Sequence, residues 1–273
     1  MTRRAMLAVA IATSTGASAC NRSDRSSMPT ASRVPESTPT VLAVHPHDPR
    51  AFTQGLEWHR GQLLESTGRF GESSVRRVDL ATAAVLKQVP LAPQMFGEGL
   101  TRVDDRVIQL TWRSGLALIY DVNLQSVASQ RSFAYEGEGW GLCYDGRRLI
   151  MSDGSPTLVF RNPQTFEWQG AVDVTLDGAA VAGLNELECV NDLVYANVWT
   201  TSTILVIDPG GGVVVHRVRA DRLIPTTETP TNTRLNGIAF VPETGRFLLT
   251  GKLWPRLYEV ELAPISGGST APD

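Results

Sequence analysis

Short apolar runs alternate with polar turns along the chain, and the runs recur at nearly even intervals. The clearest repeat begins at five positions that are 44, 42, 45 and 51 residues apart: Gln54, Glu98, Trp140, Asn185 and Asn236. A second and a third apolar run follow each of these positions, and a fourth follows the first four. Four strands in each unit of 42 to 51 residues are typical of the blades of a β-propeller.

The two ends of the repeated region complement each other. The fifth unit stops after Glu261-Leu262 without an outer strand, while the run Val41–Val44 precedes the first unit without a partner. Pairing the two would remove two exposed sheet edges. The sequence therefore predicts an all-β fold, a five-bladed β-propeller closed by an N-terminal strand. A two-domain sandwich is the alternative, but it does not explain the even spacing.

The composition agrees with this fold and excludes one class of partner. The 273 residues are 42% hydrophobic, enough for a packed core, and the 24 glycines and 16 prolines indicate frequent turns. Charged residues make up 19%, and the net charge is -3. Because a polyanion needs a basic surface, we expect no nucleic-acid partner.

Residues 1–20 have the features of an export signal. Two arginines precede an apolar stretch, and Ala17-Ser18-Ala19 stands directly before Cys20. Either cleavage after Ala19 or lipid attachment to Cys20 fits this pattern, and a chance cysteine in a disordered tail is the alternative. We expect a bacterial lipoprotein that is periplasmic and tethered to the membrane through Cys20, or else secreted.

The remaining boundaries follow from composition. Eleven of the twenty residues in 21–40 are Ser, Thr or Pro, so we expect a flexible tether there. Residues 41–264 form the predicted propeller domain, and 265–273 a flexible tail. Cys143 and Cys189 are expected to point to opposite blade faces, and whether they pair is left open. The histidines lack ligand spacing, so no metal site is predicted.

The repeat also indicates where a site would lie. Residues that begin the innermost strands should form a ring at one mouth of the central channel. Further side chains occur at strand ends expected on the same face: Phe52, Phe96, Trp112, Trp199 and Trp254. Four of the six tryptophans would then line one cavity. Lys252, one of only two lysines, lies near this mouth and could stabilise negative charge on oxygen.

Ten sequence blocks between Phe52 and Leu262 resemble one family, the glutaminyl-peptide cyclotransferases of the plant and bacterial type. The blocks are Phe52-Thr53-Gln54-Gly55-Leu56, Ser66-Thr67-Gly68-Arg69-Phe70-Gly71, Phe96-Gly97-Glu98-Gly99-Leu100-Thr101, Leu110-Thr111-Trp112, Glu138-Gly139-Trp140-Gly141-Leu142, Met151-Ser152-Asp153-Gly154-Ser155, Leu184-Asn185-Glu186-Leu187-Glu188, Asn197-Val198-Trp199, Leu235-Asn236-Gly237-Ile238-Ala239 and Thr250-Gly251-Lys252-Leu253-Trp254-Pro255.

The resemblance implies an acyltransferase that converts N-terminal glutamine of peptides to pyroglutamate and releases ammonia. It implies that Glu98 is the general acid and base, and that burial among aromatic side chains raises the pKa of Glu98. We expect Lys252 and Asn185 to stabilise the oxyanion. The implied substrate-binding residues are Phe52, Gln54, Phe96, Trp112, Trp140 and Trp199. No cofactor is expected for catalysis, a structural Ca²⁺ in the channel is compatible, and a monomer is expected.

Two other functions are compatible with a propeller. Glu98, Asp153, Asn185 and Asn236 offer oxygen ligands of the kind that hold Ca²⁺ in propeller lactonases. A binding module without catalytic activity would bind peptides and release no ammonia.

Overall fold

The repeated apolar runs form sheets in which the strands of one repeat unit pair antiparallel in chain order. A computed structural model describes residues 33–124, 131–225 and 233–264. The signal at 1–20, Cys20, most of the tether and the tail at 265–273 lie outside these described residues.

The described residues form 23 strands and one short 3₁₀ helix at Asp221–Leu223. The strands are β1 (Glu36–Ser37), β2 (Thr40–Pro46), β3 (Thr53–His59), β4 (Gln62–Thr67), β5 (Ser74–Asp79), β6 (Val85–Pro90), β7 (Gly97–Val103), β8 (Arg106–Thr111), β9 (Leu116–Asp121), β10 (Arg131–Ala134), β11 (Leu142–Tyr144), β12 (Leu149–Met151), β13 (Thr157–Arg161), β14 (Trp168–Asp173), β15 (Thr175–Leu176), β16 (Ala179–Ala180), β17 (Leu184–Val190), β18 (Leu193–Val198), β19 (Thr203–Asp208), β20 (Val213–Arg219), β21 (Leu235–Val241), β22 (Arg246–Gly251) and β23 (Arg256–Glu261). No helix in this part of the chain is long and apolar enough to cross a membrane.

The strands assemble into sheets 1 to 5, numbered along the chain. Sheet 1 has the order β3-β4-β5-β6, sheet 2 is β7 to β10, sheet 3 is β11 to β14, and sheet 5 has the order β21-β22-β23-β2. Sheet 4 contains β17 to β20, to which β15, β16 and β1 are added at the β20 edge. In every sheet the first strand of the repeat unit is the innermost, as the repeat predicts; these strands are β3, β7, β11, β17 and β21.

The blade count in the sequence prediction needs correction. Five equivalent four-stranded blades were expected, but only four of the sheets are four-stranded blades, and sheet 4 is a seven-stranded assembly. The prediction of a five-bladed propeller is therefore wrong as stated, although the all-β propeller architecture is present. The added strands have two residues each, too short to show an alternating pattern, and they cover an edge that β20 would otherwise expose.

The N-terminal segment joins two sheets. β2 pairs antiparallel with β23, with Val41 opposite Val260, which supplies the outer strand that sheet 5 lacks. β1 pairs in parallel with β20, with Glu36 opposite Arg217. Residues 33–40 were assigned to the flexible tether, but the segment that contains β1 is part of sheet 4, because its backbone groups pair with β20.

Apolar side chains pack between consecutive sheets all the way around the ring. Sheets 1 and 5, which are farthest apart in the chain, share a core that contains Leu56 and Leu248. Sheets 3 and 4 share another core, and there Cys143 and Cys189 form a disulfide with a Cα–Cα distance of 5.4 Å. The disulfide joins the innermost strands β11 and β17.

Candidate active site

The residues of the predicted ring lie at irregularities in the innermost strands. The pairing register shifts between Thr53 and Gly55, Gly97 and Leu100, Leu184 and Leu187, and Leu235 and Ile238. These four bulges contain Gln54, Glu98, Asn185 and Asn236, and all four side chains are buried. A bulge redirects the side chain that it carries. Each innermost strand can therefore bury a polar group at this mouth, while the residues after the bulge continue into the apolar core.

Trp140 reaches the ring differently, because it precedes β11 and no bulge surrounds it. Its N–H donates to Ser152 O at 2.9 Å, and its carbonyl accepts the N–H of Gly99 at 2.7 Å. A Cβ on Gly99 would come within 2.7 Å of Gly141 Cα. Glycine at this position therefore permits the close approach of the innermost strands of sheets 2 and 3.

Two serine hydroxyls also connect neighbouring sheets, in addition to the backbone hydrogen bonds. Ser66 Oγ donates to the carbonyl of Glu98, and Ser152 Oγ donates to the carbonyl of Asn185 at 2.7 Å. Ser66 lies in β4 of sheet 1, and Ser152 directly follows β12 of sheet 3. Each hydroxyl holds the backbone of a ring residue in the next sheet. The backbone of two predicted catalytic residues is thus fixed from an adjacent blade.

Glu98 is 4% exposed and belongs to an electrostatic cluster with Lys252 and Gln54. Burial raises its pKa well above the usual range, against the opposing effects of the Lys252 charge and a hydrogen bond with Gln54. The predicted direction of the pKa shift is confirmed. Among the described residues, Glu98 Oε2 has no hydrogen-bond partner, so this oxygen is available to an incoming group.

Lys252 is the cationic member of this cluster. Its side chain is buried, and its Nζ lies 5.0 Å from the centre of the Phe52 ring. Burial lowers its pKa to about 8, although the charge of Glu98 acts in the opposite direction. Near neutral pH the Lys252 ammonium is therefore a poorly solvated cation beside a poorly solvated carboxyl group.

The predicted aromatic residues gather in two groups. Phe52 contacts Phe96 edge to face at 6.1 Å between ring centres, and Phe96 contacts Trp112 at 5.7 Å. Trp140 contacts Trp199 edge to face at 5.5 Å. We call Phe52, Phe96, Trp112, Trp140 and Trp199 the aromatic cup.

Glu138 connects the two aromatic groups, and the sequence analysis assigned it no role. Its Oε2 accepts the indole N–H of Trp112 at 2.7 Å and that of Trp140 at 3.0 Å. Arg113 donates to its Oε1 at 2.8 Å and stacks on the Trp112 ring at 3.9 Å. Burial acts to raise the pKa of Glu138, but the hydrogen bonds from Trp140, Arg113 and Trp112 outweigh it and lower the pKa. Its position two residues before the site residue Trp140, in the block Glu138-Gly139-Trp140, was the available signal.

Trp254 does not line the cup, so the expectation of four tryptophans in one cavity is wrong. Its side chain is fully buried in the core of sheets 4 and 5 and contacts Tyr258 at 6.3 Å between ring centres. Leu253 before it lies in the turn after β22 and has a φ of 62°, and this left-handed residue redirects the chain so that Trp254 turns inward. A tryptophan at a strand end can line the cup or pack in the core between sheets, and the sequence does not distinguish these two positions.

Asn185 and Asn236 occupy equivalent positions but have different environments. The amide of Asn236 donates to Thr53 O at 3.0 Å and to Gln54 Oε1 at 3.2 Å, so it orients the Gln54 side chain. Asn185 Oδ1 is buried and has no hydrogen-bond partner within the described part of the chain. Asn185 lies beside Gly141, two sheets along the ring from Glu98.

A buried ionic network supports the strand that carries Gln54. Glu65 accepts hydrogen bonds from Thr53 Oγ1 at 2.7 Å and from Arg76 Nε at 2.9 Å, and it contacts His47 Nε2 at 3.1 Å. Burial acts to raise the pKa of Glu65, but Arg76 and His47 outweigh it and lower the pKa to about 2. His47 is thus part of an ionic network and has a structural role.

Three more carboxyl groups lie along the innermost strands, of which Glu186 and Glu188 are buried and Glu57 is partly buried. Glu186 accepts the N–H groups of Leu56 and Ile238 at 3.2 and 2.9 Å, and Glu188 accepts that of Phe240 at 2.8 Å. Glu57 accepts Thr101 Oγ1 at 3.0 Å. These carboxyl groups bond neighbouring strands together, and no three His, Cys, Asp or Glu residues of the described ranges are placed to hold a metal. Asp153 accepts the N–H of Ser155 at 2.9 Å.

Comparison with known proteins identifies the family. The family model for glutamine cyclotransferase matches residues 5–262. The chain is 36% identical over 235 residues to the glutaminyl-peptide cyclotransferase of Arabidopsis thaliana, covering 84% of this chain and 72% of the relative. The chain belongs to the glutamine cyclotransferase family. The resemblance found in the sequence is thereby confirmed.

A solved structure extends the similarity of this cyclotransferase to three dimensions. The crystal structure of Myxococcus xanthus glutaminyl cyclase superposes with a TM-score of 0.77 at 40% identity, covering 84% of this chain and 97% of that one. The shared region includes most of the cyclotransferase chain. The residues of the aromatic cup lie within the region that matches the family.

Proposed function

We propose that the aromatic cup is the active site in which this glutaminyl-peptide cyclotransferase converts an N-terminal glutamine to pyroglutamate. The observation that carries the proposal is the buried carboxyl group of Glu98, which interacts with the Lys252 charge and has one oxygen without a hydrogen-bond partner among the described residues. A short neutral amide side chain suits such a site, because aromatic walls exclude water and leave one polar centre for the chemistry.

The reaction needs one proton to move between two nitrogen atoms. The substrate α-amine attacks the side-chain amide carbon, a C–N bond forms, and the bond to the amide nitrogen breaks as ammonia leaves. Glu98 as a carboxylate takes the proton from the attacking nitrogen, and as an acid it gives that proton to the departing one. Such transfer contributes roughly 10²–10⁴-fold in rate, and a raised carboxyl pKa suits a group that must perform both steps.

Lys252 and Asn185 stabilise the negative charge that develops on the amide oxygen. The buried ammonium supplies a full charge, and each such donor contributes on the order of 10²–10³-fold. Gln54, oriented by Asn236, binds the substrate amine or amide. Trp112 and Trp140, fixed by Glu138, enclose the glutamine side chain together with the remaining aromatic residues.

Replacement of Glu98 tests the proposal. Glu98→Gln is isosteric and removes the titrating group, so we expect ammonia release from a Gln-initiated peptide to fall by about 10²–10⁴-fold while the melting temperature stays close to that of the wild type. The control is Glu261→Gln, which alters an exposed carboxylate at the end of β23 and should preserve the rate. Peptide binding without ammonia release by the wild type would instead favour a binding module.

The proposed chemistry requires no metal, because Glu98 moves the proton and Lys252 supplies the positive charge. Activity should survive exhaustive treatment with EDTA. Loss of activity with EDTA, restored by Ca²⁺, would contradict this part of the proposal.

The location of the enzyme is proposed from residues 1–20. We expect export and a lipid on Cys20 that holds a monomer at the periplasmic face of a membrane. Cys20→Ser should move the protein from the detergent phase to the aqueous phase in a phase-separation assay, and equal partitioning of both forms would contradict lipidation.

A further inference from the structure

One block of the sequence pattern has no role in the mechanism above. Residues 68–73 connect β4 to β5, and this turn begins with Gly68, beside Phe96 and Gln54. We call residues 68–73 the rim turn. It carries Arg69 and Phe70, neither of which was predicted to bind substrate.

The rim turn is held rigidly by its own hydrogen bonds. Ser73 Oγ and the N–H of Glu72 both donate to Arg69 O, at 2.6 and 3.1 Å, and Gly71 N–H donates to Pro93 O at 3.0 Å. Arg69 has a φ of 85°, a left-handed conformation that costs a non-glycine residue free energy. Such strain persists only where the surroundings fix it, and it is concentrated at functional sites.

This conformation holds Phe70 against the outside of the aromatic cup. The Phe70 ring lies 5.4 Å from Phe96 and 6.5 Å from Trp112 between ring centres, yet its side chain remains 59% exposed. The Arg69 guanidinium lies 5.0 Å from the centre of the Phe52 ring. The turn thus extends the aromatic surface of the cup outward with one large apolar group that is exposed to water.

The substrate itself supplies the group that would cover this ring. If the glutamine side chain occupies the cup, as in the proposed function on which this inference rests, the peptide must leave across the rim. Successive residues of an extended chain are about 3.3–3.6 Å apart, so the second residue falls within reach of a ring that contacts two walls of the cup. We infer that Phe70 is a specificity-determining residue that binds an apolar or aromatic side chain directly after the N-terminal glutamine.

Two matched peptides test this inference. Gln-Phe-Ala amide and Gln-Gly-Ala amide differ only in the second side chain, and kcat/KM is measured for each from ammonia release. An aromatic contact of this kind corresponds to about a two- to ten-fold preference for the Phe peptide. Phe70→Ala should abolish this preference, whereas Phe70→Tyr, which keeps the ring, should preserve it.

The control is Trp168→Ala, which removes another exposed aromatic side chain at the start of the outer strand β14 and should leave the preference intact. Equal losses on both peptides in Phe70→Ala would overturn the inference, because the ring would then only support Phe96 and Trp112. So would a wild-type enzyme without preference. If the wild type released ammonia from neither peptide, the proposed function itself would fail, which is a distinct result.

Discussion

Trp112 donates its indole N–H to Glu138 at 2.7 Å, and this bond links a wall of the cup to a charge that acts on Glu98. The negative charge of Glu138 contributes to the raised pKa of Glu98. In Glu138→Gln this contribution is lost, so the pKa of Glu98 should fall. If Glu98 must be ionised to accept the substrate proton, the acid limb of kcat/KM should move to lower pH.

The substrate amine titrates identically with both enzymes, so the difference between the two pH profiles reports on the enzyme. The difference should shrink at high salt, because Glu138 is partly exposed and its charge is screened. Glu136→Gln, which removes an exposed charge from the same loop, is the control. An acid limb that moves upward in Glu138→Gln would contradict the assignment of Glu98 as the base.

Lys252 should determine the alkaline limb of kcat/KM, which reports on the free enzyme. Because burial lowers its pKa to about 8, the wild type should lose the ammonium, and with it oxyanion stabilisation, as the pH rises through that value. Lys252→Arg remains charged, so its kcat/KM should not decline there, even if the different shape of guanidinium lowers the plateau. Lys252→Met should lose on the order of 10²–10³-fold below that pH, and the loss should shrink at higher pH, where the wild-type lysine is also neutral.

The same lysine influences Glu98 in a way that can be measured separately. Its positive charge opposes the upward shift of the Glu98 pKa, so the acid limb of kcat/KM should move to higher pH in Lys252→Met. An unchanged alkaline limb in Lys252→Arg would show that another group titrates there.

Gly154 should be required for the position of Trp140. Its φ is 85°, and a Cβ at this position would lie 2.6 Å from the Trp140 ring. Gly154→Ala should therefore displace the indole and lower kcat/KM by up to about 100-fold. Gly146→Ala is a matched control, because Gly146 has a φ of 87° and no atom within 4 Å of the added Cβ.

Both alanine variants carry backbone strain of about 1–2 kcal/mol, so both should melt at a lower temperature. Only Gly154→Ala should lose activity at temperatures where both are folded. Equal activity of the two variants would show that the position of Trp140 is not critical.

The disulfide should contribute stability without participating in the chemistry. Cys143 and Cys189 are 46 residues apart, and closing a loop of that length stabilises a fold by about 4 kcal/mol in the chain-entropy account. In Cys143→Ser/Cys189→Ser the melting temperature should fall by about 10 °C, while kcat/KM at 25 °C stays within about two-fold. Addition of dithiothreitol should not lower the melting temperature of the double variant further.

Much of the site was predictable because the repeat is long and regular. Equivalent positions of units that surround an axis form a ring, so the spacing of Gln54, Glu98 and Asn185 was enough to bring them to one mouth. The sequence did not reveal the bulges that hold these residues. Counting residues placed Cys143 and Cys189 on opposite faces of neighbouring blades and left their pairing open. Because neighbouring blades meet through opposite faces, the disulfide is compatible with that count.

Other features depend on loops and very short strands, where no periodicity exists. The contact of Glu138 with two tryptophans follows from the path of the loop before β11. β15 and β16 have two residues each and are recognised only by their pairing. The burial of Trp254 depends on the left-handed residue before it, and leucine gives no signal of that conformation.

The order of synthesis has a consequence for assembly. β2 is among the first described segments to be made, but its partner β23 is made near the end, so sheet 5 stays incomplete until residue 261 has left the ribosome. Val41 and Val44 lie on a strand that has no other sheet to join during that time. β2 can therefore complete sheet 5 only after the whole domain has been made. Partial chains carry an unpaired strand edge that favours association with other copies.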